Sequence, residues 1–300
     1  MSAAHAAVQL LVFPGALYAV SASFFLTWLH RKVNARLQGR IGPPFYQPFF
    51  DVIKLAAKTP VPRPPLQGLV MTALPLGAVT ATLAAAALLP VFPAWGGFSG
   101  DLVLLVALIE AGPLLGVLAG YASRSLWGGL GSSREAVMTA AYNLPFLTAL
   151  IALAQLNGFS LTASATGGPA AVRVLVVIAL LLCLPAKLHL NPFSIASAEQ
   201  EIYAGITTEY DGPRLALWEL AHGLEWVALV GLVAALAFPV TLAWYWHLLA
   251  FLAVSVLVVV LLSVLAASTA RLKLAQTARW FWLWGFGIAL SALGLAFAGI

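Results

Sequence analysis

The chain contains 300 residues, of which 62% are hydrophobic and 8% are charged, and its formal net charge is +5. An average soluble domain carries about 25% charged residues, so this composition excludes a soluble globule: too few polar side chains exist to cover its surface. It predicts an all-α integral membrane protein in which residues 1–300 form a single polytopic membrane domain. The apolar runs continue to the C-terminal end, so a cleaved signal peptide does not explain them.

The charge and the cysteine content also limit the expected ligands. The positions of the basic residues are explained by membrane topology, so nucleic acid is not an expected partner. The single cysteine, Cys183, excludes an internal disulfide and a CxxC-type iron–sulfur or zinc site. We therefore expect this chain itself to bind no metal and no cofactor.

Eight stretches are long and apolar enough for membrane-spanning helices, which need about 20 residues each. Barrel strands are excluded because the runs are long and do not alternate. No internal repeat is visible, which argues against an inverted-repeat transporter. The predicted spans are approximately 8–29, 68–90, 101–123, 136–156, 171–190, 214–238, 243–268 and 280–299.

The basic residues lie almost entirely in alternate connections between these spans, at about 30–67, 124–135, 188–213 and 269–279. Lys187 and Arg214 flank the third of these connections and are counted with it, and only Arg173 lies on the opposite side. By the positive-inside rule these connections are cytoplasmic, and both termini are on the outer side.

The first cytoplasmic connection contains a predicted amphipathic helix, Phe45–Lys58. Gln47, Asp51, Lys54 and Lys58 follow a helical spacing and form one polar stripe opposite an apolar one. Two interpretations remain open: a helix lying in the membrane interface, or a docking surface for a cytoplasmic partner.

Glu110 lies inside the third span, and no basic residue is found within ten positions along that span. An ionisable group at membrane depth is costly unless it is paired or reached by water. Glu110 is therefore expected to pair with another helix or to be a protonated carboxyl able to carry a proton. A neutral side chain hydrogen-bonded to a nearby backbone is the structural alternative.

Two further groups of ionisable residues are candidates. Glu219, His222 and Glu225 follow i, i+3, i+6 spacing on the sixth span, which puts them on one broad face. A proton wire and a structural polar network both fit this pattern, whereas the spacing is poor for a metal. Glu135 follows two serines and is expected in the first turn of span four, with Ser132 or Ser133 as the cap.

The acidic loop, Asn191–Arg214, holds four of the ten acidic residues: Glu199, Glu201, Glu209 and Asp211. Glu199 and Glu201 are close enough for their titrations to interact, and Arg214 is expected to pair with an acid nearby. A freely solvated loop is the alternative, but the loop also carries large apolar residues. We therefore expect it to pack against the rest of the protein.

Three segments carry a resemblance to a known family. HRKVNARLQGRIGPP (30–44), AGYASRS (119–125) and PFSIASAEQEIYAGITTEYDGPRLAL (192–217) resemble the NADH dehydrogenase subunit 1 family of respiratory complex I. That family includes the membrane anchor subunit of group 4 energy-converting [NiFe] hydrogenases of the formate hydrogenlyase type. RIGPPFYQPFFDVIKLAAK (40–58) and ALWELAHGLEWVAL (216–229) are more similar to this hydrogenase branch.

The resemblance implies a non-catalytic membrane anchor and coupling subunit of an oxidoreductase complex in the bacterial or archaeal cytoplasmic (inner) membrane. Its implied partners are an iron–sulfur electron-transfer subunit, a hydrogenase-like large subunit, antiporter-like membrane subunits and the lipid bilayer. Iron–sulfur clusters would belong to those partners, with a NiFe centre left open. The implied role links electron transfer to proton or sodium translocation. A quinone-binding subunit of a complex I-like NADH/ferredoxin:quinone oxidoreductase is the alternative, and a stand-alone ion transporter is a third hypothesis.

The resemblance and the ionisable residues together define two sets of candidates, with no catalytic residue and no metal ligand. The coupling set is Glu110, Glu135, Glu199, Glu201, Glu209, Asp211, Glu219, His222 and Glu225. The set for docking a peripheral arm is Arg31, Arg36, Arg40, Asp51, Lys54 and Arg214.

Three positions depart from the family pattern. His30, Asn143 and Ser194 stand where acids are usual. The expected charge route is therefore rerouted or partly disabled, with Glu110, Glu135 and Glu219 as substitutes.

Overall fold

The computed structural model describes residues 11, 15–89, 101–160, 168–237 and 244–299, and only the backbone of Glu199 and Trp244. These residues form helices joined by short connections, without a named strand. The helices are α1 (Ala16–Leu37), α2 (Gln47–Ala56), α3 (Pro65–Leu88), α4 (Leu102–Ala122), α5 (Leu126–Asn157), α6 (Ala170–Lys187), α7 (Glu199–Ile202), α8 (Gly212–Ala237), α9 (Trp244–Ser268) and α10 (Leu274–Ala298).

Seven of the described helices, α3 to α6 and α8 to α10, are long and apolar enough to cross a membrane. The prediction of an all-α membrane protein is therefore confirmed. The first predicted span, 8–29, begins among residues that the structure does not describe and continues as α1. Phe281–Gly285 forms a π-helical turn inside α10.

Helix α8 is the centre of the bundle. In its most apolar stretch 83% of the residues are buried, against 28–56% in the other six candidate spans. α8 packs against α1, α2, α3, α6 and α9. Glu225 of α8 is buried among neighbouring helices, as a polar group at membrane depth requires, whereas Glu219 remains exposed.

The four basic connections meet at one end of the bundle, which we call the basic end. Arg63 in the first connection donates to the Glu209 carboxylate over 3.2 Å, and Gln67 at the start of α3 donates to the Ser123 carbonyl, also over 3.2 Å. The Leu272 amide in the last connection donates to the Pro192 carbonyl over 2.9 Å. These contacts agree with the alternate-connection topology predicted from the basic residues.

The second predicted connection, 124–135, is wrong as a loop. Helix α5 begins at Leu126, with Ser125 as its N-cap residue. Glycines make the segment a weak helix former, but they allow α4 and α5 to approach closely. A Cβ atom on Gly128 would lie 2.7 Å from the Gly120 carbonyl oxygen. This tertiary contact outweighs the local propensity and places Glu135 inside a helix rather than in a serine-capped first turn.

The predicted amphipathic helix is confirmed as α2, although it is shorter than the predicted 45–58. Helix α2 and Phe45, which precedes it, pack on α1: the Phe45 and Trp28 rings are 5.2 Å apart, and Phe49 and Phe24 are 5.8 Å apart. Phe45 nevertheless keeps 60% of its surface exposed. Helix α2 is therefore fastened to α1 while presenting aromatic surface outward.

The acidic loop is folded against the bundle, as its apolar residues predict. Phe193, Ile195, Ile202 and Tyr210 are buried, whereas Tyr203 is exposed. The loop contains α7 and a 3-10 turn, Gly205–Thr207, which packs on α5. Burial raises the pKa of Tyr210 to about 12, and its hydroxyl donates to the Ala119 carbonyl of α4.

Candidate functional site

Glu110 is held by partners from two other helices. Its carboxylate is paired with Lys187 at the end of α6, and Asn143 of α5 donates to Glu110 Oε2 over 2.7 Å. Lys187 also donates to Asn143 Oδ1 over 3.1 Å. The prediction that a partner comes from another helix is confirmed.

Lys187 is a buried charge and not a loop residue. Its side chain has no exposed surface, and its ammonium lies 4.6 Å from the centre of the Tyr142 ring and 4.2 Å from that of Phe146. Lys187 is the last residue of α6 and so flanks the third connection, as predicted, but its side chain is buried in the bundle. Its charge is balanced inside the protein by Glu110 and by the two ring faces.

Glu135 is a second buried carboxylate with three donors around it. His189 Nε2 lies 3.0 Å from Glu135 Oε2, while the Tyr142 and Thr139 hydroxyls donate to Oε1 over 3.3 and 3.4 Å. Tyr142 therefore touches both sites: its hydroxyl contacts Glu135, and its ring contacts Lys187.

His189 follows the end of α6 and is basic for a histidine. Burial lowers its pKa, but the charge and hydrogen bond of Glu135 and the charge of Glu225 outweigh burial and raise the pKa to about 9. His189 is thus protonated at neutral pH and forms an ion pair with Glu135.

Two of the three candidates on the sixth span are neighbours in α8. His222 Nδ1 lies 3.6 Å from Glu225 Oε2, and the Trp226 indole donates to His222 Nε2 over 3.2 Å. The His222 ring stacks on His189 with 6.0 Å between ring centres and 7° between planes. Glu219 lies on the wall of the same cavity. Among the described residues, no group of three or more His, Cys, Asp or Glu side chains is arranged to hold a metal.

A cavity of about 420 Å³ lies beside the His189–Glu135 and His222–Glu225 groups and extends to the basic end. Its walls come from α1, α2, α3, α4, α5 and α8, and from the acidic loop at Ala196–Ser197 and Ala204–Thr207. The ionisable residues that line it are His30, Arg31, Asp51, Glu135, His189, Glu219, His222 and Glu225.

The carboxylates of the acidic loop are tied to other segments. Glu201 pairs with Arg134 over 2.5 Å, Glu209 with Arg63 over 3.2 Å, and Asp211 with Arg214 over 3.7 Å. Asp211 also accepts from the Val61 amide. The expected pairing of Arg214 with a nearby acid is confirmed. The side chain of Glu199 lies outside the described residues.

The candidate docking residues divide into two groups. Arg36, Arg40 and Lys54 are exposed at the basic end. Arg31 pairs with Asp51 over 2.8 Å, and Arg214 is directed inward, where it also donates to Thr72.

Sequence reasoning missed His189, and it did not assign Lys187 to the site. Lys187 lies inside the predicted span 171–190 and could have been recognised as an intramembrane charge by the criterion applied to Glu110. His189 lies inside the same predicted span, but its contact with Glu135 arises only through the fold. His30, which stands where an acid is usual, bonds Ser263 over 3.0 Å and lies 4.9 Å from Trp226 between ring centres.

The His189–Glu135 pair predicts a pH dependence of stability. The folded pKa of about 9 lies above the ordinary value of 6.5, so the contribution is fully present below about pH 6.5 and is lost as the pH rises through about 9. We expect the melting temperature of the purified protein to fall by a few degrees across this interval. The His189→Gln variant should lack that part of the fall, and an identical fall in the variant would contradict the ion pair. The measurement is thermal unfolding in detergent from pH 6 to pH 10.

These features define a polytopic helical membrane protein. Its bundle contains buried ion pairs and a cavity beneath the connecting loops. The family model described as NADH dehydrogenase matches residues 8–297, and the chain belongs to that family. The resemblance to NADH dehydrogenase subunit 1 is thereby confirmed.

Relatives come from both branches of the family. Hydrogenase-4 component C of Escherichia coli (strain K12) is 30% identical, with 71% of this chain and 70% of that protein covered. An H-type subunit of the NADH-quinone oxidoreductase of Syntrophobacter fumaroxidans (strain DSM 10017 / MPOB) is 32% identical, with 71% of each covered. A similar solved chain belongs to the membrane-bound sulfane sulfur reductase, described as an archaeal respiratory membrane complex. Its TM-score is 0.87 at 26% identity, with 98% of this chain and 99% of that chain covered. The chain is therefore a multi-pass membrane protein of the type found in complex I-like and hydrogenase-4-like complexes.

Proposed function

We propose that this chain is the membrane anchor and coupling subunit of an energy-converting, hydrogenase-type complex in a prokaryotic cytoplasmic membrane. One observation carries the proposal: a single cavity is lined by helix α2, by the acidic loop and by the buried groups Glu135 and Glu225. A change of charge or contact at the basic end therefore occurs close enough to the ionisable groups in the bundle to act on them.

The buried groups provide a route from the cavity toward the bundle interior. It passes from the His189–Glu135 pair to Tyr142, and from Tyr142 to Lys187 and Glu110. A charge that appears in the cavity changes the relative free energies of protonated and ionised forms along this series. The route ends at Glu110 and Asn143, so a carboxylate lies beside the position where the family pattern places one. This favours a rerouted path over a disabled one.

Docking of a peripheral arm is assigned to the exposed basic residues Arg36, Arg40 and Lys54, together with the outward aromatic surface of α2. Electron carriers, including iron–sulfur clusters, would reside in partner subunits, with antiporter-like subunits taking up the coupling energy. The similarity to hydrogenase-4 component C supports this assignment.

The test compares ion translocation with electron transfer in the purified complex reconstituted into vesicles. Glu135→Gln and Glu110→Gln should each reduce the number of ions moved per electron by at least about tenfold, since each removes an ionisable group from the route. Asp101→Asn is the matched control, because Asp101 caps α4 outside the route and asparagine caps equally well. Unchanged translocation per electron in both route variants would refute the proposal.

A quinone-binding subunit is the second candidate function. The cavity volume of about 420 Å³ and the similarity to a quinone oxidoreductase subunit favour it. Purification through a tag on this chain separates the two functions. A large subunit with two CxxC pairs and hydrogen evolution without added quinone would support the hydrogenase assignment. Electron transfer that requires quinone would support the alternative.

A further inference from the structure

Two histidine–carboxylate pairs lie side by side on the cavity wall. His189 contacts Glu135, and His222 contacts Glu225, while the two imidazole rings stack nearly parallel. The pairs come from different segments: His189 follows α6, and His222 belongs to α8. At 6.0 Å between centres the rings do not share a hydrogen bond, but the cavity beside them has room for water.

Trp226 makes the two histidines unequal. An indole N–H is a donor only, so its hydrogen bond to His222 Nε2 requires a lone pair on that nitrogen. The proton of the neutral ring is then on Nδ1, on the side of Glu225 Oε2. His222 can become an imidazolium only if Trp226 releases Nε2. No described donor occupies His189 in this way, and His189 carries its proton at neutral pH.

The groups around the two histidines can stabilise a positive charge on either ring. Two imidazolium rings stacked at this distance repel each other. The state in which only one of the two rings is an imidazolium is therefore favoured over the state in which both are. Glu225 Oε1 is buried and has no hydrogen-bond partner among the described residues, so it can stabilise a cation on His222. The other charged or titratable groups facing the pair are His30 and Arg31 from α1, Asp51 from α2, Tyr142 from α5, and Glu219 from α8.

We propose that His189 and His222 share one exchangeable proton, and that the Trp226 hydrogen bond determines which ring holds it. In the transfer, an N–H bond of His189 breaks, the proton crosses through cavity water, and an N–H bond forms at His222 Nε2 after Trp226 has turned away. One positive charge moves from Glu135 toward Glu225, and no electron is exchanged.

The position of Trp226 suggests what operates the exchange. Its ring packs on His30 of α1, and the next residue, Arg31, pairs with Asp51 of α2. A displacement of α1 or α2 at the basic end would therefore act on the Trp226 hydrogen bond through two direct contacts. This inference rests on the proposed coupling function and names the groups that exchange the proton.

The test is ¹⁵N-histidine NMR of the whole purified complex in lipid, with signals assigned by His189→Gln and His222→Gln. At pH 7 we expect His222 as the neutral Nδ1–H tautomer and His189 as the imidazolium. Trp226→Phe keeps the aromatic ring but removes the donor, so the Nδ1–H signal of His222 should be lost or shared with other forms. Trp218→Phe is the matched control, because Trp218 lies on the same helix and cavity but packs on Tyr210.

An Nε2–H tautomer of His222, or imidazolium signals from both rings at pH 7, would overturn the proposal. An unchanged His222 signal in Trp226→Phe would do the same. If that variant does not fold, the wild-type tautomers alone decide. The NMR signals do not depend on ion translocation, so the two proposals can fail separately. The shared-proton proposal can be overturned while Glu135→Gln still uncouples the complex. It can also be supported while Glu135→Gln has no effect on coupling.

Discussion

Replacement of Lys187 by methionine is expected to destabilise the protein by about 3–5 kcal/mol, the range for breaking a buried ion pair by removing one partner. Lys187 has no exposed surface, and Glu110 retains only 20% exposure. Methionine matches the length of the lysine stem and can still fill the space between the Tyr142 and Phe146 rings. Most of the loss therefore comes from leaving the Glu110 carboxylate without a counter-charge, and not from a cavity.

The double variant Lys187→Met/Glu110→Gln separates these two causes. A glutamine at position 110 has no charge and can still accept from Asn143, so much of the lost stability should return although a second wild-type residue has been removed. The measurement is unfolding of the purified protein in detergent for the two single variants and the double variant. Equal stability of Lys187→Met and the wild type would show that Glu110 is not a paired charge.

An exposed ion pair provides the comparison. Arg31 and Asp51 are 2.8 Å apart, but their side chains keep 47% and 36% exposure. Arg31→Gln should therefore change stability by no more than about 1 kcal/mol. The contrast tests burial as the cause, because both substitutions remove the cation of an ion pair and the two pairs differ strongly in exposure.

The sequence was sufficient to predict the elements that depend on neighbouring residues along the chain. Long apolar runs predict the spanning helices, and the alternate basic connections predict that these connections meet at one end. The polar stripe Gln47–Lys58 predicts α2. The predicted helix boundaries were wrong where tertiary packing opposes the helix propensity of the residues. Gly128 looked like part of a loop, and the close approach to Gly120 that makes it helical depends on another helix.

The same limit applies to the site. Intramembrane energetics required a partner for Glu110 and also marked Lys187 as a charge inside a predicted span, but nothing local shows that these two residues meet. The two serines before Glu135 predict a helix start, whereas its burial is set by α5 and the segment after α6. His189 and Glu135 are 54 positions apart, so only the fold brings them together.

The second large effect is expected at Gly131, where the acidic loop rests on α5. A Cβ atom there would lie 2.8 Å from the Ile206 amide nitrogen and 2.9 Å from the Gly205 Cα. Both are backbone atoms of the 3-10 turn, so no side chain can rotate away. Gly131→Ala should therefore displace the turn and cost about 1–3 kcal/mol through overpacking, more than the gain of up to about 1 kcal/mol in helix propensity.

Gly129→Ala is the matched control on the same helix. A Cβ atom at Gly129 meets nothing within 4 Å, so this variant gains helix propensity alone and should be slightly more stable than the wild type. The two substitutions are chemically identical and two positions apart, yet opposite signs are expected. Thermal unfolding measures the sign, and hydrogen exchange of residues 199–209 should increase in Gly131→Ala only.

The consequence for function follows from the position of the 3-10 turn. Ile206 and Thr207 line the cavity together with Glu135 and His189. Lifting the turn admits water to these groups, raises the effective dielectric around them and weakens the influence of each charge on the next. Gly131→Ala should thus lower the ions translocated per electron without removing any ionisable residue. Full coupling in a variant with demonstrably increased loop exchange would show that the acidic loop does not transmit the signal.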